Sequence, residues 1–401
     1  MAPIKQIEYF RVPPRWLFVK ITDSEGNVGW GEASLEGHTE AVEGCLDAFV
    51  ERFVGLDAKY EPFAILFFLS LTAYSFLFSD IEHIWQNGYR MGFYRGGPIL
   101  MSALSGIDIA LWDLKASRFG VPIYELLGGK VRDKLRVYAW IGGDRPGDVE
   151  AQARGRISQG FKAVKMNATE DLGWLDSPAA LNASVERLKT VKSLGLDAGV
   201  DFHGRVHKAM AIQLAHKLAP HEPLFIEEPL LSEHPESVAA LSKLVPIPIA
   251  LGERLHSRWD VKPFLESASV SILQPDISHV GGISELRRIA IMGEAYDVAL
   301  APHCPLGPIA LAANIQVDAV SANFAIQEMS VGIHYNHGSA DIGTYIKNPE
   351  VWTVKDGMLD LMRGPGLGIE IDEERIRAAA VGAKAWRSPC FQGPGGEWRE
   401  W

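Results

Sequence analysis

Three stretches of the chain set its architecture: VDFHG (residues 200–204), FIEEP (225–229) and LGER (251–254). Each closes an apolar run with an acidic residue. The stretches recur at intervals of roughly 25 residues, which is the spacing of strands that alternate with helices. This pattern predicts parallel strands whose carboxyl ends, with their acidic residues, meet at one edge.

Apolar runs of the same kind continue on both sides of these stretches, and each is followed by a helical pattern. Together they give eight candidate strands, at residues 136–140, 163–166, 198–202, 224–226, 249–251, 271–273, 298–301 and 324–327. Eight such units close into a barrel whose chemistry lies at the carboxyl ends of the strands. We therefore expect an α/β fold with a TIM-like barrel over residues 126–345.

The first third of the chain has a mixed pattern. Its predicted elements are strands at 4–11 and 17–22, a hairpin turn with its return strand within 25–32, and helices at about 39–53 and at 99–119. A Pro13-Pro14 break separates the first two strands, and the Gly-rich EGNVGWGE (25–32) supplies a hairpin turn. We expect an α+β capping domain over residues 1–125 and a separate C-terminal segment over 346–401.

Composition limits the classes of function. The 401 residues are 47% hydrophobic and carry a formal net charge of -11, which argues against a nucleic-acid partner. The three cysteines, Cys45, Cys304 and Cys390, are too few and too widely spaced for a disulfide framework. With no secretory pattern at the N-terminus, we expect a cytoplasmic protein.

One uncharged stretch, FAILFFLSLTAYSFLFS (63–79), departs from this composition. Its length is at the lower limit for a membrane span. It contains Ser70, Thr72 and Ser75, however, and lacks the basic flanks that orient a span. We interpret it as an apolar helix inserted into the cap, and we expect no membrane partner.

The ends of the predicted strands are unusually polar. In chain order they carry Lys165, Asn167, Asp201, His203, Glu227, Glu228, Glu253, Asp276, His303 and Glu328. Asp201, Glu227 and Glu253 end three successive strands, and three converging carboxylates suit Mg²⁺. The alternatives are ordinary loop acids paired with basic residues, or a mixed zinc site that includes histidine. Because side chains alternate along a strand, only one of Glu227 and Glu228 should face inward.

Two histidines stand out among the twelve. His303 ends the seventh strand, next to Asp276 at the end of the sixth, so Asp276 can accept a hydrogen bond from one ring nitrogen and raise the basicity of the other. His203 follows Asp201 by two residues and should face the same side. Strand alternation turns Cys304 away from His303, which favours a packed thiol over a nucleophile. Glu328 could be held protonated beside a metal-bound carboxylate.

In this order the residues resemble the enolase superfamily, mandelate racemase group. The resemblance covers nearly the whole chain and includes PPRW, VGWGE, GFYRGGPILMSA, GIDIALWD, DFHGR, PLFIEEP, SILQPD, LAPHCPLGPIALAA and PGLGIEID. It implies a (β/α)₇β barrel whose N-terminal cap is completed by the C-terminal segment. It also implies Asp201, Glu227 and Glu253 as Mg²⁺ ligands, His303 with Asp276 as the base, His203 as general acid, and Glu328 as stabiliser of the intermediate.

The activity that the resemblance implies is dehydration of a sugar acid such as D-galactonate. The group often has a lysine base on the second barrel strand, but here Lys165 is followed by Asn167, so we expect both to bind substrate. The apolar stretch 63–79 has no counterpart in the family pattern. Alternatives are dehydration of another hexonate (gluconate, mannonate or related), racemisation, or a noncatalytic relative. Barrels of this family commonly associate, so we expect a homo-oligomer.

Overall fold

A computed structural model of the chain describes residues 2–54, 80–143, 148–167, 172–336 and 338–400. The apolar stretch 63–79, interpreted above as an insertion in the cap, lies outside these residues. Within the described ranges, no helix is both long enough and apolar enough to cross a membrane.

The N-terminal domain is a three-stranded antiparallel sheet with helices packed on it. Its elements are β1 (Ile4–Val12), β2 (Trp16–Asp23), β3 (Val28–Glu32), α1 (Thr39–Phe53), α2 (Ile81–Arg90), α3 (Pro98–Phe119) and α4 (Ile123–Leu126). The predicted strands and helices here are confirmed to within one or two residues. Their ends carry local signals: α3, for example, ends at Gly120, whose φ of 68° is the left-handed conformation of a helix C-terminus.

Two glycines explain the GWG motif of β3. A Cβ atom at Gly29 would overlap the backbone carbonyl of Ala110, and one at Gly31 would overlap the carbonyl of Gly106. Because neither strand residue has a side chain, α3 lies directly against the sheet. This close contact fixes the cap as one packed unit.

The barrel contains eight parallel strands with seven helices between them. Its strands are β4 (Lys134–Ile141), β5 (Ala163–Asn167), β6 (Asp197–Asp201), β7 (Ile226–Glu227), β8 (Ile249–Leu251), β9 (Ile272–Leu273), β10 (Ala299–Leu300) and β11 (Gln327–Met329). Its helices are α5 (Val149–Ser158), α6 (Pro178–Ser193), α7 (Lys208–Leu218), α8 (Pro235–Ser242), α9 (Arg258–Glu266), α10 (Gly282–Ala295) and α11 (Pro308–Asp318). The eight predicted strands and the (β/α)₇β order are thus confirmed.

The pairing of the strands follows their order in the chain. Strands β4 to β10 are hydrogen-bonded neighbours in sequence, and β11 pairs in parallel with β4, so that Glu328 lies opposite Tyr138. Just before β11, Phe324 forms a parallel bridge to Leu300 of β10. The pairings therefore run from β10 back to the first strand of the barrel.

A small cluster of alternate side chains packs together across the strands of the barrel. It comprises Tyr138, Ala163, Phe225, Ala250, Ala301 and Ile326. Neighbours of five of them belong instead to the large core cluster: Val137, Ala139, Val164, Ile226, Ile249, Leu251 and Leu300. A Cβ atom at Gly199 would overlap the ring of Phe225, so this glycine makes room for an aromatic side chain.

The C-terminal segment returns to both domains. Its hairpin, β12 (Val354–Lys355) and β13 (Met358–Asp360), pairs antiparallel with the start of β4. Its helix α12 (Glu373–Ala380) contacts the cap through ion pairs of Glu373 with Lys20 (2.6 Å) and of Arg377 with Glu8 (3.0 Å). The expected completion of the cap by this segment is therefore confirmed.

Glu32, at the end of β3, joins the cap to the barrel. Its fully buried carboxylate accepts hydrogen bonds from the backbone N–H groups of Gly307 (2.8 Å) and Ala310 (2.9 Å), at the start of α11. Ser34 donates a third hydrogen bond (2.8 Å). A cap residue thus satisfies free donors of a barrel helix, immediately after the loop that carries His303.

Candidate active site

A cavity of about 800 Å³ lies where the cap covers the carboxyl ends of the barrel strands. Residues of the cap, including Arg15 and Glu36, form part of its wall. The predicted site residues that line it are Lys165, Asp201, His203, Glu253, His303 and Glu328. Residues from five different strand ends therefore face one space, which is large enough for a small organic ligand.

Asp201 and Glu227 are neighbours because they lie in register at the ends of β6 and β7. The chain turns sharply after Asp201, and His203 has a φ of 55°. This turn brings Nδ1 of His203 to 2.9 Å from Oδ2 of Asp201, while Oδ1 accepts the His203 backbone N–H (2.6 Å). The orientation of His203 is therefore set by Asp201.

Lys165 lies between two buried carboxylates. Its Nζ is 2.6 Å from Oε1 of Glu227 and 3.0 Å from Oε1 of Glu328. Burial disfavours the charge of Lys165, but these two carboxylates outweigh it and raise its pKa well above the usual value. The side chain is thus a fixed cation at the base of the cavity.

The expected pair of Asp276 and His303 is present. The two residues form a parallel bridge between strand ends, and Nδ1 of His303 is 2.9 Å from Oδ2 of Asp276. The other nitrogen, Nε2, is 2.7 Å from Oε2 of Glu253. Burial would lower the pKa of His303, but Glu253 and Glu328 raise it well above its usual value. Asp276 itself lies behind His303, out of the cavity wall.

Three other residues from the sequence analysis, Asn167, Glu228 and Cys304, are buried near the strand ends. Asn167 donates to the carbonyl of Gly143 (2.9 Å) and is not among the residues that line the cavity. Only one of Glu227 and Glu228 was expected to face inward; both are fully buried, and neither is among the residues that line the cavity. Strand β7 ends at Glu227, and Glu228 has a φ of 38°. Cys304 is packed in the core, as expected.

The carboxylates predicted as metal ligands contact other side chains of the site. No group of three or more His, Cys, Asp or Glu side chains in the described ranges is arranged as a ready ligand set. The three carboxylates predicted as ligands instead contact protein cations or histidines: Asp201 with His203, Glu227 with Lys165, and Glu253 with His303.

The carboxyl groups nevertheless outnumber these partners, and burial and mutual repulsion disfavour the ionisation of one more. Oε2 of Glu228 is buried without a hydrogen-bond partner, and burial, together with the charge of Glu253, raises the pKa of Glu228 to about 8. Carboxylate oxygens in such surplus are the ligands that Mg²⁺ prefers.

Sequence reasoning gave no role to Gln274. This buried side chain donates from Nε2 to Oε2 of Glu227 (2.6 Å), opposite the contact that Lys165 makes with Oε1. The motif SILQPD contains Gln274, but the sequence analysis predicted a role only for its aspartate, Asp276. An amide two residues before Asp276, in the segment that follows β9, was the available signal.

Comparison with known families agrees with this geometry. Residues 148–375 match the family described as enolase C-terminal domain-like. Residues 75–128 match the mandelate racemase / muconate lactonizing enzyme N-terminal domain.

Similar proteins cover the whole chain. A D-galactonate dehydratase from Ralstonia pickettii (strain 12J) is 47% identical over 99% of this chain and 100% of its own length. One from Variovorax paradoxus (strain S110) is 45% identical with the same coverage. Among solved structures, an enolase from Agrobacterium radiobacter with bound Na and L-malate is 30% identical, with a TM-score of 0.85 over 99% of this chain and 100% of its own.

Proposed function

The chain belongs to the enolase superfamily, mandelate racemase group, and we propose that it is a hydro-lyase that converts D-galactonate to 2-dehydro-3-deoxy-D-galactonate. The observation that carries this proposal is that two histidines, each oriented by its own aspartate, line one cavity beside a surplus of carboxylates. A dehydration needs one group to remove a proton and another to deliver one. The identity of 44–47% to D-galactonate dehydratases over the full length supports the choice of substrate.

The α-proton of a carboxylate is too weakly acidic for a histidine to remove unaided. We infer that Asp201, Glu227 and Glu253 hold Mg²⁺, as the donor chemistry supports. When bound, this ion would stabilise the negative charge that develops on the substrate carboxylate. The enolase superfamily depends generally on Mg²⁺. Its enzymes form the intermediate with a Lys or His base and stabilise it with Mg²⁺.

His303 takes the proton from C2. Asp276 holds Nδ1 of the ring at 2.9 Å, which directs Nε2 toward the cavity and stabilises the imidazolium that forms. Glu328 and Lys165 lie at the base of the cavity, 3.0 Å from each other. This position supports a role for both at the substrate carboxylate, where they would stabilise the intermediate.

His203 protonates the leaving 3-hydroxyl. Its Nδ1 contacts Asp201, so we assign the donation to Nε2, the other ring nitrogen. The electron pair of the broken C2–H bond forms the C2–C3 double bond as the C3–O bond breaks and water leaves. The resulting enol then gains a proton at C3 and becomes the 2-keto acid.

We further infer that the enzyme works in the cytoplasm as an assembly of identical chains. All three cysteines are free, as a reducing compartment favours. The association of chains is supported by the family resemblance, because barrels of this family commonly associate.

A panel of hexonates with Mg²⁺, scored by formation of 2-keto acid, tests the proposed function. We expect D-galactonate to give the highest kcat/KM. Preferential turnover of gluconate or mannonate would move the assignment to another hexonate, and epimerisation at C2 without loss of water would indicate a racemase. The noncatalytic alternative predicts no reaction with any member of the panel.

A further inference from the structure

The cap contributes one ion pair to the wall of the active-site cavity. Arg15, in the turn between β1 and β2, approaches Glu36 with Nη2 3.3 Å from Oε1. Both residues line the cavity, although the side chains are only 3% and 13% exposed. A charged pair buried to this degree is costly unless the surroundings hold it in place.

Three separate segments hold the pair. The guanidinium of Arg15 lies 3.7 Å from the centre of the Tyr335 ring, in the loop after β11, and 5.3 Å from that of Trp386 in the C-terminal segment. On the other side, Oε2 of Glu36 is 3.6 Å from Nε2 of His279. The position of the pair is therefore determined by the cap, the barrel and the C-terminal segment together.

His279 also places this pair close to the reacting end of the cavity. Its Nδ1 is 3.9 Å from Oδ1 of Asp276, the residue that orients His303. Glu36 is thus three contacts away from the proposed base, through His279 and Asp276. The same cavity is lined by His303 and by the Arg15–Glu36 pair of the cap, so it has room at the pair for the far carbons of a six-carbon acid that reacts at His303.

Each lysine and arginine among the described residues of the cavity wall already contacts a carboxylate. The pairs are Arg15 with Glu36 (3.3 Å), Lys165 with Glu227 (2.6 Å), and Arg254 with Glu233 (3.3 Å). Asp260 and Glu400 add further negative charge to the wall. A ligand with a second carboxylate would bring another anion beside cations that are already neutralised.

We propose that the Arg15–Glu36 ion pair determines specificity at the far end of the substrate, by accepting a neutral, hydroxyl-bearing tail and rejecting a second carboxylate. The N–H groups of Arg15 donate to substrate hydroxyls, and the oxygens of Glu36 accept from them. Arg15 alone would bind a carboxylate in a two-pronged contact. Glu36 removes that option, so the site selects aldonic over aldaric acids. This inference rests on the proposed dehydratase function.

The test compares D-galactonate with galactarate, which differs by a carboxylate at C6. Glu36→Gln keeps the size of the side chain but leaves Arg15 unneutralised. We expect the ratio of kcat/KM for galactarate to that for galactonate to rise by about tenfold or more, mainly through KM. The matched control is Glu233→Gln, which frees Arg254 in the same way but at an exposed pair (37% and 61%). Its ratio should stay within about twofold of the parent.

The parent protein provides a measurement that needs no variant. It should prefer galactonate over galactarate by at least about tenfold in kcat/KM, because the second carboxylate meets Glu36. Equal use of the two acids by the parent would overturn the inference, as would an unchanged ratio in a folded Glu36→Gln protein or an equal shift in Glu233→Gln. If the parent fails to dehydrate galactonate, the proposed function itself is wrong.

Discussion

Glu32 should make the stability of this protein fall as the pH rises, the reverse of what an ion-paired carboxylate does. Burial raises the pKa of Glu32 to about 7 from its ordinary value of 4.5, against the opposing effect of its hydrogen bonds from Ala310 and Gly307. Between these two pH values the folded protein retains a proton that the unfolded chain has lost. Raising the pH through this window therefore favours unfolding.

The size of the effect follows from the two pKa values. A pKa that moves from 4.5 to about 7 on folding corresponds to about 3 kcal/mol of stability, present at pH 4.5 and lost by pH 7. Glu32→Gln keeps the shape of the side chain but cannot ionise. Its amide N–H₂ group also replaces one acceptor, which leaves one backbone donor of α11 unsatisfied and costs about 1–3 kcal/mol at every pH.

The difference in the free energy of unfolding between the parent and Glu32→Gln can be measured by urea unfolding. The measurement is made at several pH values between about 4 and 8, which span this window. We expect the parent to be more stable than the variant at the acid end, and the difference to shrink by about 3 kcal/mol toward neutral pH. Glu236→Gln, at a side chain that is 75% exposed, is the control and should show a constant difference. A difference for Glu32→Gln that stays constant or grows with pH would refute the reasoning, because the hydrogen bonds would then outweigh burial.

Four further outcomes concern the active site. Asp276→Asn should retain the fold but lower kcat by roughly 10³–10⁴, since His303 loses the anion that sets its tautomer; parent-like rates at every pH would contradict the pairing. His303→Asn should lose both turnover and exchange of the C2 proton with D₂O. His203→Asn should lose a factor of roughly 10²–10⁴ in the rate of dehydration. A 3-fluoro substrate should restore much of that rate in His203→Asn, measured as release of fluoride. EDTA should abolish turnover and Mg²⁺ restore it; full activity of metal-free protein would exclude the metal. Gln274→Leu should weaken Mn²⁺ binding about 10–100-fold in an EPR titration, because Glu227 loses its donor.

The elements of the fold could be predicted because their signals are local. The helix predicted at 39–53 is α1 (Thr39–Phe53), since its apolar residues recur at helical spacing. The contact of Asp276 with His303 was also foreseeable, because neighbouring strands of a barrel end at the same edge. In both cases a periodic rule of the backbone connects sequence with position.

Contacts between domains followed no such rule. Glu32 was only the last letter of a hairpin motif, and nothing near it in the sequence indicates that it accepts hydrogen bonds from Gly307 and Ala310. Arg15 and Glu36 lie in turns of the cap, where side-chain direction has no fixed period.

The pairing of β4 with β11 has a consequence for synthesis on the ribosome. Tyr138 lies opposite Glu328, about 190 residues further along the chain, and at roughly 5–20 residues per second this separation amounts to about 10–40 s of translation. Throughout that time one edge of β4 has no partner, and the hairpin β12–β13 that pairs with its first residues emerges later still. Until the last strand is made, a nascent chain of this protein therefore offers an open strand edge to which another chain can pair.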